Sequence, residues 1–288
     1  MSAILLEEGL VHYEAFGRGK PVVFLHGWLG SWRYWVPVME DLSDTYRSYA
    51  LDLWGFGDSE KPAHGYHIQG YVQQVGQFLD GLGIAQASFV GHSLGGVVAL
   101  HLALTQAPRV EKLVLVATPV QGTALSGFLR LLLGPLRHVA GPRRWFDLWT
   151  RSLKRASAPW AEMYDEIVDD AVKADHEAIR QSLEGLLELD LSGALGRLYA
   201  PTLVVYGSRD EFVDPRQATL FADGNVATAQ VVVLGGCRHF PFLEDPARFN
   251  RLLKEFLASE IGQPVVVKEE WRRRYHPTEY LKSAGGSA

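Results

Sequence analysis

Residues 87–95 read ASFVGHSLG, and this stretch decides the fold class. Ala87–Val90 is a short apolar run that is typical of a buried strand. Leu94–Thr105 is rich in Ala, Val and Leu and predicts a helix. Between them lies the G-x-S-x-G pattern, in a turn where flanking side chains would collide with neighbouring backbone. A sharp strand-to-helix turn of this kind raises the serine hydroxyl above the sheet, so we predict that Ser93 is a nucleophile.

A serine hydroxyl needs a base to take its proton, and that base needs an acid to orient it. Asp210 follows the predicted strand Thr202–Tyr206, and His239 follows the predicted strand Gln230–Leu234. The chain order serine, acid, histidine is the order expected for this arrangement. Asp214 and Glu211 are rivals for the acid, but we interpret both as solvated carboxylates. Asp210 and His239 are therefore the predicted acid and base.

A second glycine-containing turn, His26-Gly27-Trp28, follows the predicted strand Val22–Leu25. The backbone N–H groups of Trp28 and Leu94 are the predicted oxyanion hole, since the second lies at a helix N-terminus. We expect His26 to brace this loop by hydrogen bonds. We expect His92 to point away from the serine oxygen and to line the wall of the site.

The rest of the chain alternates apolar runs with helical patterns, which predicts a mostly parallel sheet covered on both faces. Helical patterns occupy Ser31–Leu42, Tyr66–Gly81, Pro246–Ala258 and a stretch beginning at Pro215. Further strands are predicted at Tyr49–Leu51 and Leu113–Val116. The alternation stops over 120–198, which predicts a helical insertion. The predicted organisation is a core of residues 1–119 and 199–260, a cap of residues 120–198, and a tail of residues 261–288.

Composition excludes several classes of function. The formal charge of the 288 residues is −5, without a broad basic face, so we expect no nucleic-acid partner. The lone cysteine, Cys237, excludes an intrachain disulfide and favours a reducing compartment. We expect no signal peptide, no membrane span and a cytoplasmic location. No cysteine–histidine cluster has metal-ligand spacing, so we expect no metal and no organic cofactor. Oligomeric state, monomer or homodimer, stays open.

Five ordered motifs resemble the α/β-hydrolase superfamily, in particular its capped esterase, lactonase and C–C hydrolase group. They begin at His26, Asp52, Gly91, Gly207 and His239. The resemblance covers about residues 8–258. It implies an eight-stranded, mainly parallel sheet with a helical cap after the sixth strand. It also carries the roles of nucleophile, acid, base and oxyanion donors onto Ser93, Asp210, His239, Trp28 and Leu94.

Apolar and aromatic residues of the predicted cap favour a small, largely apolar ester as substrate. They are Leu125, Phe128, Leu129, Leu132, Trp145, Phe146, Trp149, Trp160 and Met163. Which of them line a pocket is not decided by the sequence. We predict a carboxylesterase acting through an acyl-enzyme. A C–C hydrolase, lactonase or perhydrolase with the same triad stays open, as do an acyltransferase and a non-catalytic binding protein.

Overall fold

The computed structural model describes residues 2–127, 129, 130, 150, 161–222 and 226–260. Its centre is one sheet with the strand order β1-β2-β4-β3-β5-β6-β7-β8. The strands are β1 (Ser2–Leu5), β2 (Leu10–Gly17), β3 (Lys20–Leu25), β4 (Tyr46–Leu51), β5 (Ala87–His92), β6 (Val110–Val116), β7 (Thr202–Gly207) and β8 (Ala229–Leu234). The pairs from β4 to β8 are parallel, whereas β2 is antiparallel to both β1 and β4. The predicted eight-stranded, mostly parallel sheet is confirmed.

Helices cover the sheet on both faces, as predicted. They are α1 (Val36–Leu42), α2 (Ile68–Gly81), α3 (Leu94–Thr105), α4 (Ala161–Lys173), α5 (His176–Leu187), α6 (Pro241–Glu244) and α7 (Pro246–Ala258). The core helices contact each other in two groups, α1 with α7 and α2 with α3. All six residues of β5 are buried, which is why this strand reads as a continuous apolar run instead of an alternation.

The two antiparallel strands at the edge, β1 and β2, carry no clear sequence pattern. In β2, Leu10 and Phe16 are exposed whereas the polar His12 is buried. This inverts the usual rule that apolar side chains face inward, so alternation does not reveal the strand. The pattern from Pro215 is a 3₁₀ helix, Pro215–Leu220, and the one from Ser31 begins with a 3₁₀ helix, Trp32–Trp35.

The helical insertion follows β6, where the alternation of strands and helices stops. Its described part holds α4, α5 and two 3₁₀ helices, Gly122–Ala124 and Ser192–Arg197. The insertion contacts the core through backbone as well as side chains. The Asp175 N–H donates to Gly55 O at 2.7 Å, and Trp28 Nε1 donates to Ile179 O at 3.2 Å. The tail, residues 261–288, lies outside the described residues. Within the described part of the chain, no helix is both long and apolar enough to cross a membrane.

Candidate active site

The turn between β5 and α3 holds Ser93 in a backbone conformation that side chains rarely adopt. Its φ is 49° and its ψ is −113°. A Cβ on Gly91 would lie 2.4 Å from Gly95 O, and a Cβ on Gly95 would lie 2.3 Å from Leu25 O. The flanking glycines are required because backbone occupies the space of their side chains, as the sequence predicts. The close packing of the two glycines thus accompanies a strained backbone at Ser93, between strand and helix.

Two backbone N–H groups beside this turn have no protein acceptor within the described part of the chain. They belong to Leu94, the first residue of α3, and to Trp28, in the loop after β3. The first N–H groups of a helix have no intrahelical partner, and they carry the positive end of the helix dipole. Leu29, the residue after Trp28, has a positive φ of 60°, which bends this loop back on itself. Both donors are thus available to an anion.

Asp210 and His239 meet across the loops that follow β7 and β8. Asp210 Oδ2 lies 2.8 Å from His239 Nδ1, and no part of the carboxylate side chain is exposed. The other oxygen, Oδ1, accepts the backbone N–H groups of Phe212 at 2.8 Å and Val213 at 3.0 Å. These two donors fix the carboxylate, so it in turn fixes the imidazole ring, and no hydrogen bond to Nε2 is formed among the described residues.

The two rival carboxylates are each paired with an arginine. Asp214 accepts the Arg216 backbone N–H at 2.9 Å and forms an ion pair with its guanidinium at 2.6 Å. Burial opposes ionisation of Asp214, but these contacts with Arg216 outweigh it and lower the pKa of the carboxyl. Glu211 pairs with Arg238 at 2.6 Å. No hydrogen bond joins either carboxylate to His239 among the described residues, so Asp210 stays the predicted acid.

The loop after β8 that carries His239, the predicted base, is held by Glu244, which belongs to none of the motifs above; we name this loop, residues 235–240, the base loop. Glu244 in α6 accepts the backbone N–H of Arg238 at 2.6 Å and that of Phe240 at 2.9 Å. These two residues flank His239 on either side. Burial raises the pKa of Glu244. A glutamate four to six residues after the donors, at the end of a short helix, is the signal that points to this loop-capping role.

His26 braces the loop after β3, as predicted. Its Nε2 accepts the Leu53 N–H at 2.9 Å, so Nδ1 carries the proton and donates to Gly27 O at 2.8 Å. Burial lowers the pKa of His26, which keeps the ring neutral in this role.

His92 does not line the site, so the prediction of a wall-lining role is wrong. The ring is buried, with Nε2 2.9 Å from His239 O and Nδ1 3.1 Å from Tyr34 Oη. It packs against the loop that carries His239, with the centres of the two rings 4.7 Å apart.

A small cavity joins Ser93 and His239. Its wall is apolar apart from these two side chains. The lining residues are Trp28, Ser93, Leu125, Leu129, Leu183, Leu186, Phe212, His239 and Phe240. The structure thus brings the predicted nucleophile, the predicted base and the residue of one predicted oxyanion donor to one space, with Asp210 behind the base.

A protein-family model described as alpha/beta hydrolase fold matches residues 20–246. The chain belongs to this family. The chain is 32% identical over 252 residues to the 2-hydroxymuconate semialdehyde hydrolase of Pseudomonas sp. strain CF600, over 84% of this chain and 88% of that one. It is 28% identical over 269 residues to the pimeloyl-[acyl-carrier protein] methyl ester esterase of Aeromonas salmonicida strain A449, over 86% and 99%. The enol-lactonase of Burkholderia xenovorans LB400 shares the fold with a TM-score of 0.77 at 23% identity, over 90% and 100% of the two chains.

The residues predicted to shape the pocket of this α/β-hydrolase divide into three groups. Leu125 and Leu129 line the cavity, whereas Met163 packs on the hydrophobic core without lining it. The rest lie outside the described residues: Phe128, Leu132, Trp145, Phe146, Trp149 and Trp160. Four further residues line the cavity although they were not predicted to do so: Leu183, Leu186, Phe212 and Phe240. The i, i+3 spacing of the two leucines on α5 is the signal that places them on one face.

One group of potential metal ligands occurs among the described residues of this hydrolase. It consists of His12, Asp52 and Asp58. Asp52 already accepts His12 Nδ1 at 3.0 Å, Trp32 N at 2.8 Å and Asp58 N at 2.9 Å. Its oxygens are occupied by protein donors, so the group acts as a hydrogen-bonded brace between β2 and the loop after β4.

Proposed function

We propose that this α/β-hydrolase cleaves a small, largely apolar carboxylic ester through an acyl-enzyme on Ser93. The observation that carries the proposal is the apolar cavity shared by Ser93 and His239, with the Asp210 carboxylate 2.8 Å from the His239 ring. A carboxylate in that position keeps the proton on Nδ1, so Nε2 can accept a proton.

In the proposed reaction, His239 Nε2 takes the proton of Ser93 Oγ as the oxygen attacks the ester carbonyl. The tetrahedral intermediate carries its negative charge on the former carbonyl oxygen, and the N–H groups of Trp28 and Leu94 stabilise it. His239 then gives the proton to the departing alkoxide, which leaves as the alcohol. Water repeats the sequence on the acyl-enzyme, releases the acid and restores Ser93.

The insertion over 120–198 acts in this proposal as the cap that sets acyl preference. Leu183 and Leu186 of α5 and Leu125 and Leu129 contribute to the cavity wall. None of the described residues that line the cavity is a lysine or an arginine. An uncharged acyl group fits such a wall, because a carboxylate buried there would lack a cation to pair with.

The experiment combines covalent labelling with a variant. A fluorophosphonate probe is expected to modify Ser93, located by mass spectrometry of the tagged peptide. Ser93→Ala is expected to remove labelling and to lower hydrolysis of p-nitrophenyl butyrate by at least about 10³-fold, while circular dichroism stays unchanged. A panel of acetate, butyrate, octanoate and succinate monoesters then tests the apolar wall. Labelling of another residue, or full turnover by Ser93→Ala, would exclude the proposal.

A C–C hydrolase is the second candidate, favoured by the 32% identical relative that is named for 2-hydroxymuconate semialdehyde. Such a substrate is a carboxylate at neutral pH, whereas the described lining residues offer no lysine or arginine to pair with it. Assay of this compound beside p-nitrophenyl butyrate separates the two candidates, since kcat/KM for the ester is expected to be higher.

A further inference from the structure

The ring of His92 lies behind Ser93 and joins two loops of the site. Its Nε2 contacts the carbonyl oxygen of His239, and its Nδ1 contacts the hydroxyl of Tyr34. The Tyr34 oxygen in turn accepts the backbone N–H of Gly27, the residue before Trp28. Three consecutive hydrogen bonds therefore connect the loop after β3 to the loop after β8. We call this chain of hydrogen bonds, from Gly27 through Tyr34 and His92 to His239, the relay.

The directions of these hydrogen bonds follow from the number of protons. Gly27 N–H is a donor only, so the Tyr34 hydroxyl accepts from it and sends its single proton to His92 Nδ1. A neutral His92 then carries its proton on Nε2 and donates to His239 O. Each donor meets an acceptor, and no other tautomer of His92 satisfies both ends.

Burial keeps both rings of this relay uncharged. It lowers the pKa of His92 well below its usual value, and a positive charge on His239 lowers it further. Burial also raises the pKa of Tyr34 well above its usual value. Neither ring gains or loses a proton at neutral pH, so the hydrogen bonds keep one direction while His239 protonates and deprotonates.

Close packing leaves the loop after β3 little freedom to shift relative to this relay. A Cβ on Gly27 would lie 2.6 Å from His92 Nδ1 and 3.2 Å from Ser93 Cβ. Aromatic rings enclose the relay, with Phe240 centred 4.9 Å from the His92 ring and Phe242 centred 5.1 Å from the Tyr34 ring. Such an apolar surrounding strengthens the hydrogen bonds and makes each unpaired end costly.

We propose that Tyr34 and His92 are positioning residues that hold the oxyanion loop in register with the base loop around Ser93. The inference rests on the proposed function, because it assigns the two loops their catalytic parts. The relay fixes the Gly27–Trp28 peptide at one end and the backbone of His239 at the other. A shift of about 1 Å in such a group can cost about 10²-fold in rate.

Tyr34→Phe is the central variant, since it keeps the ring and removes only the hydroxyl. It leaves Gly27 N–H without an acceptor and His92 Nδ1 without a donor. We expect kcat for p-nitrophenyl butyrate to fall about 10- to 100-fold, with KM changed less than about 2-fold, because the oxyanion donors act only after attack. Affinity for butylboronic acid, which forms a tetrahedral adduct with a serine, is expected to fall by the same factor as kcat.

Two variants of His92 separate the links, and a second tyrosine gives the control. His92→Gln breaks the contact with Tyr34, so Tyr34→Phe/His92→Gln is expected to lose no more kcat than the more impaired single variant. His92→Asn keeps an acceptor near the position of Nδ1 and removes the donor to His239.

Tyr71→Phe is the control. It also deletes a buried hydroxyl that is hydrogen-bonded, to Trp54 O at 3.3 Å, and is expected to change kcat less than about 2-fold.

The outcomes distinguish the inference from the proposed function. A Tyr34→Phe enzyme with full kcat and full boronic acid affinity would overturn the inference, even if its melting temperature fell. Independent losses that multiply in the double variant would also overturn it. If fluorophosphonate fails to label Ser93 in the unmodified enzyme, the proposed function itself fails. Labelling of Ser93 together with an unaffected Tyr34→Phe rejects the relay alone.

Discussion

The turn at Ser93 and the contact between the insertion and the core are held by different kinds of interaction. In the turn, backbone atoms pack directly against two glycines. A Cβ on Gly91 would clash with Gly95 O, and a Cβ on Gly95 would clash with Leu25 O. The insertion, besides its neutral hydrogen bonds to Gly55 and Trp28, contacts the core through an ionic group. Asp170 of α4 accepts Ser31 Oγ at 2.5 Å and Arg33 Nη1 at 2.8 Å, and it pairs with Lys173 Nζ at 2.9 Å.

The steric packing of the turn and the ionic contacts of Asp170 meet two different requirements of one site. Ser93, as the proposed nucleophile, needs a fixed position, which steric exclusion provides whatever the pH or salt concentration. The insertion needs only to stay on the core, and a buried ion pair achieves this through contacts that one substitution can remove. Arg33 also forms an ion pair with Asp58, another core residue, at 2.9 Å. The Arg33 side chain is therefore held on the core independently of the insertion. The following variants test the two kinds of interaction.

Gly95→Ala is expected to have the largest effect on the fold. Glycine-to-alanine exchange inside an exposed helix usually stabilises it by up to about 1 kcal/mol. Here the new methyl would lie 2.3 Å from Leu25 O and 2.5 Å from His26 O, which are backbone atoms that cannot rotate away. We expect a loss of about 3 kcal/mol or more in the free energy of unfolding, measured by urea denaturation.

Gly196→Ala is the matched control for this substitution. A Cβ at Gly196, in the 3₁₀ helix of the insertion, would meet no atom within 4 Å. We expect its free energy of unfolding to stay within about 0.5 kcal/mol of the unmodified value. Equal stability of the two variants would show that the turn can relax.

Asp210→Asn is expected to have the largest effect on rate with the fold intact. The amide would donate to His239 Nδ1, which moves the ring proton to Nε2 and prevents it from accepting the proton of Ser93. We expect kcat to fall about 10³- to 10⁴-fold. Asp214→Asn is the control, with an expected change below about 3-fold, because Asp214 contacts Arg216. A larger loss in Asp214→Asn would move the acid to that position.

The core and its loops could be predicted because they depend on local patterns. Strands β5 and β7 are fully buried and β8 ends in a buried apolar run, and Ser93, Asp210 and His239 each follow one of these strands at its carboxyl end. Their meeting follows from parallel topology, which alternation of strands and helices already implies. Their roles stay predictions until the variants are measured.

The relay and the insertion contact could not be predicted because their partners are far apart in sequence. Tyr34 and His92 are 58 residues apart, and Arg33 and Asp170 are 137 apart. Nothing near Asp170 distinguishes it from the exposed acidic residues of α4. The role of His92 depends on the direction of its ring in the packed core. Strand β2 could not be predicted for a similar reason, since the partner that makes the burial of His12 favourable is Asp52, 40 residues away.

Asp170→Ala tests the ionic side of the comparison. Removal of one partner of a buried ion pair costs about 3–5 kcal/mol, but Arg33 keeps Asp58, so we expect a loss of about 2–3 kcal/mol. Because Leu183 and Leu186 of the insertion line the cavity, KM for the butyrate ester is expected to rise several-fold with a smaller change in kcat. Denaturation and steady-state kinetics measure both effects.

An exposed ion pair of the insertion provides the control for Asp170→Ala. Arg180 and Glu184 of α5 lie 2.6 Å apart at the surface. Glu184→Gln is expected to cost less than about 0.5 kcal/mol and to leave KM unchanged. Similar losses for the two variants would mean that burial of Asp170 adds nothing to the contact.

The smallest expected effect is that of a substitution at His12, whose contact with Asp52 lies within the core itself. Burial alone would lower the pKa of His12, but the hydrogen bond and charge of Asp52, 3.0 Å away, raise it above the usual value of about 6.5. A proton held more tightly in the folded state stabilises the fold below the unfolded pKa, and this contribution is lost as pH rises through the folded pKa. His12→Gln is therefore expected to lower the melting temperature by about 2 °C more at pH 5.5 than at pH 8.5. An equal loss of melting temperature at the two pH values would mean that Asp52 does not retain the proton on His12.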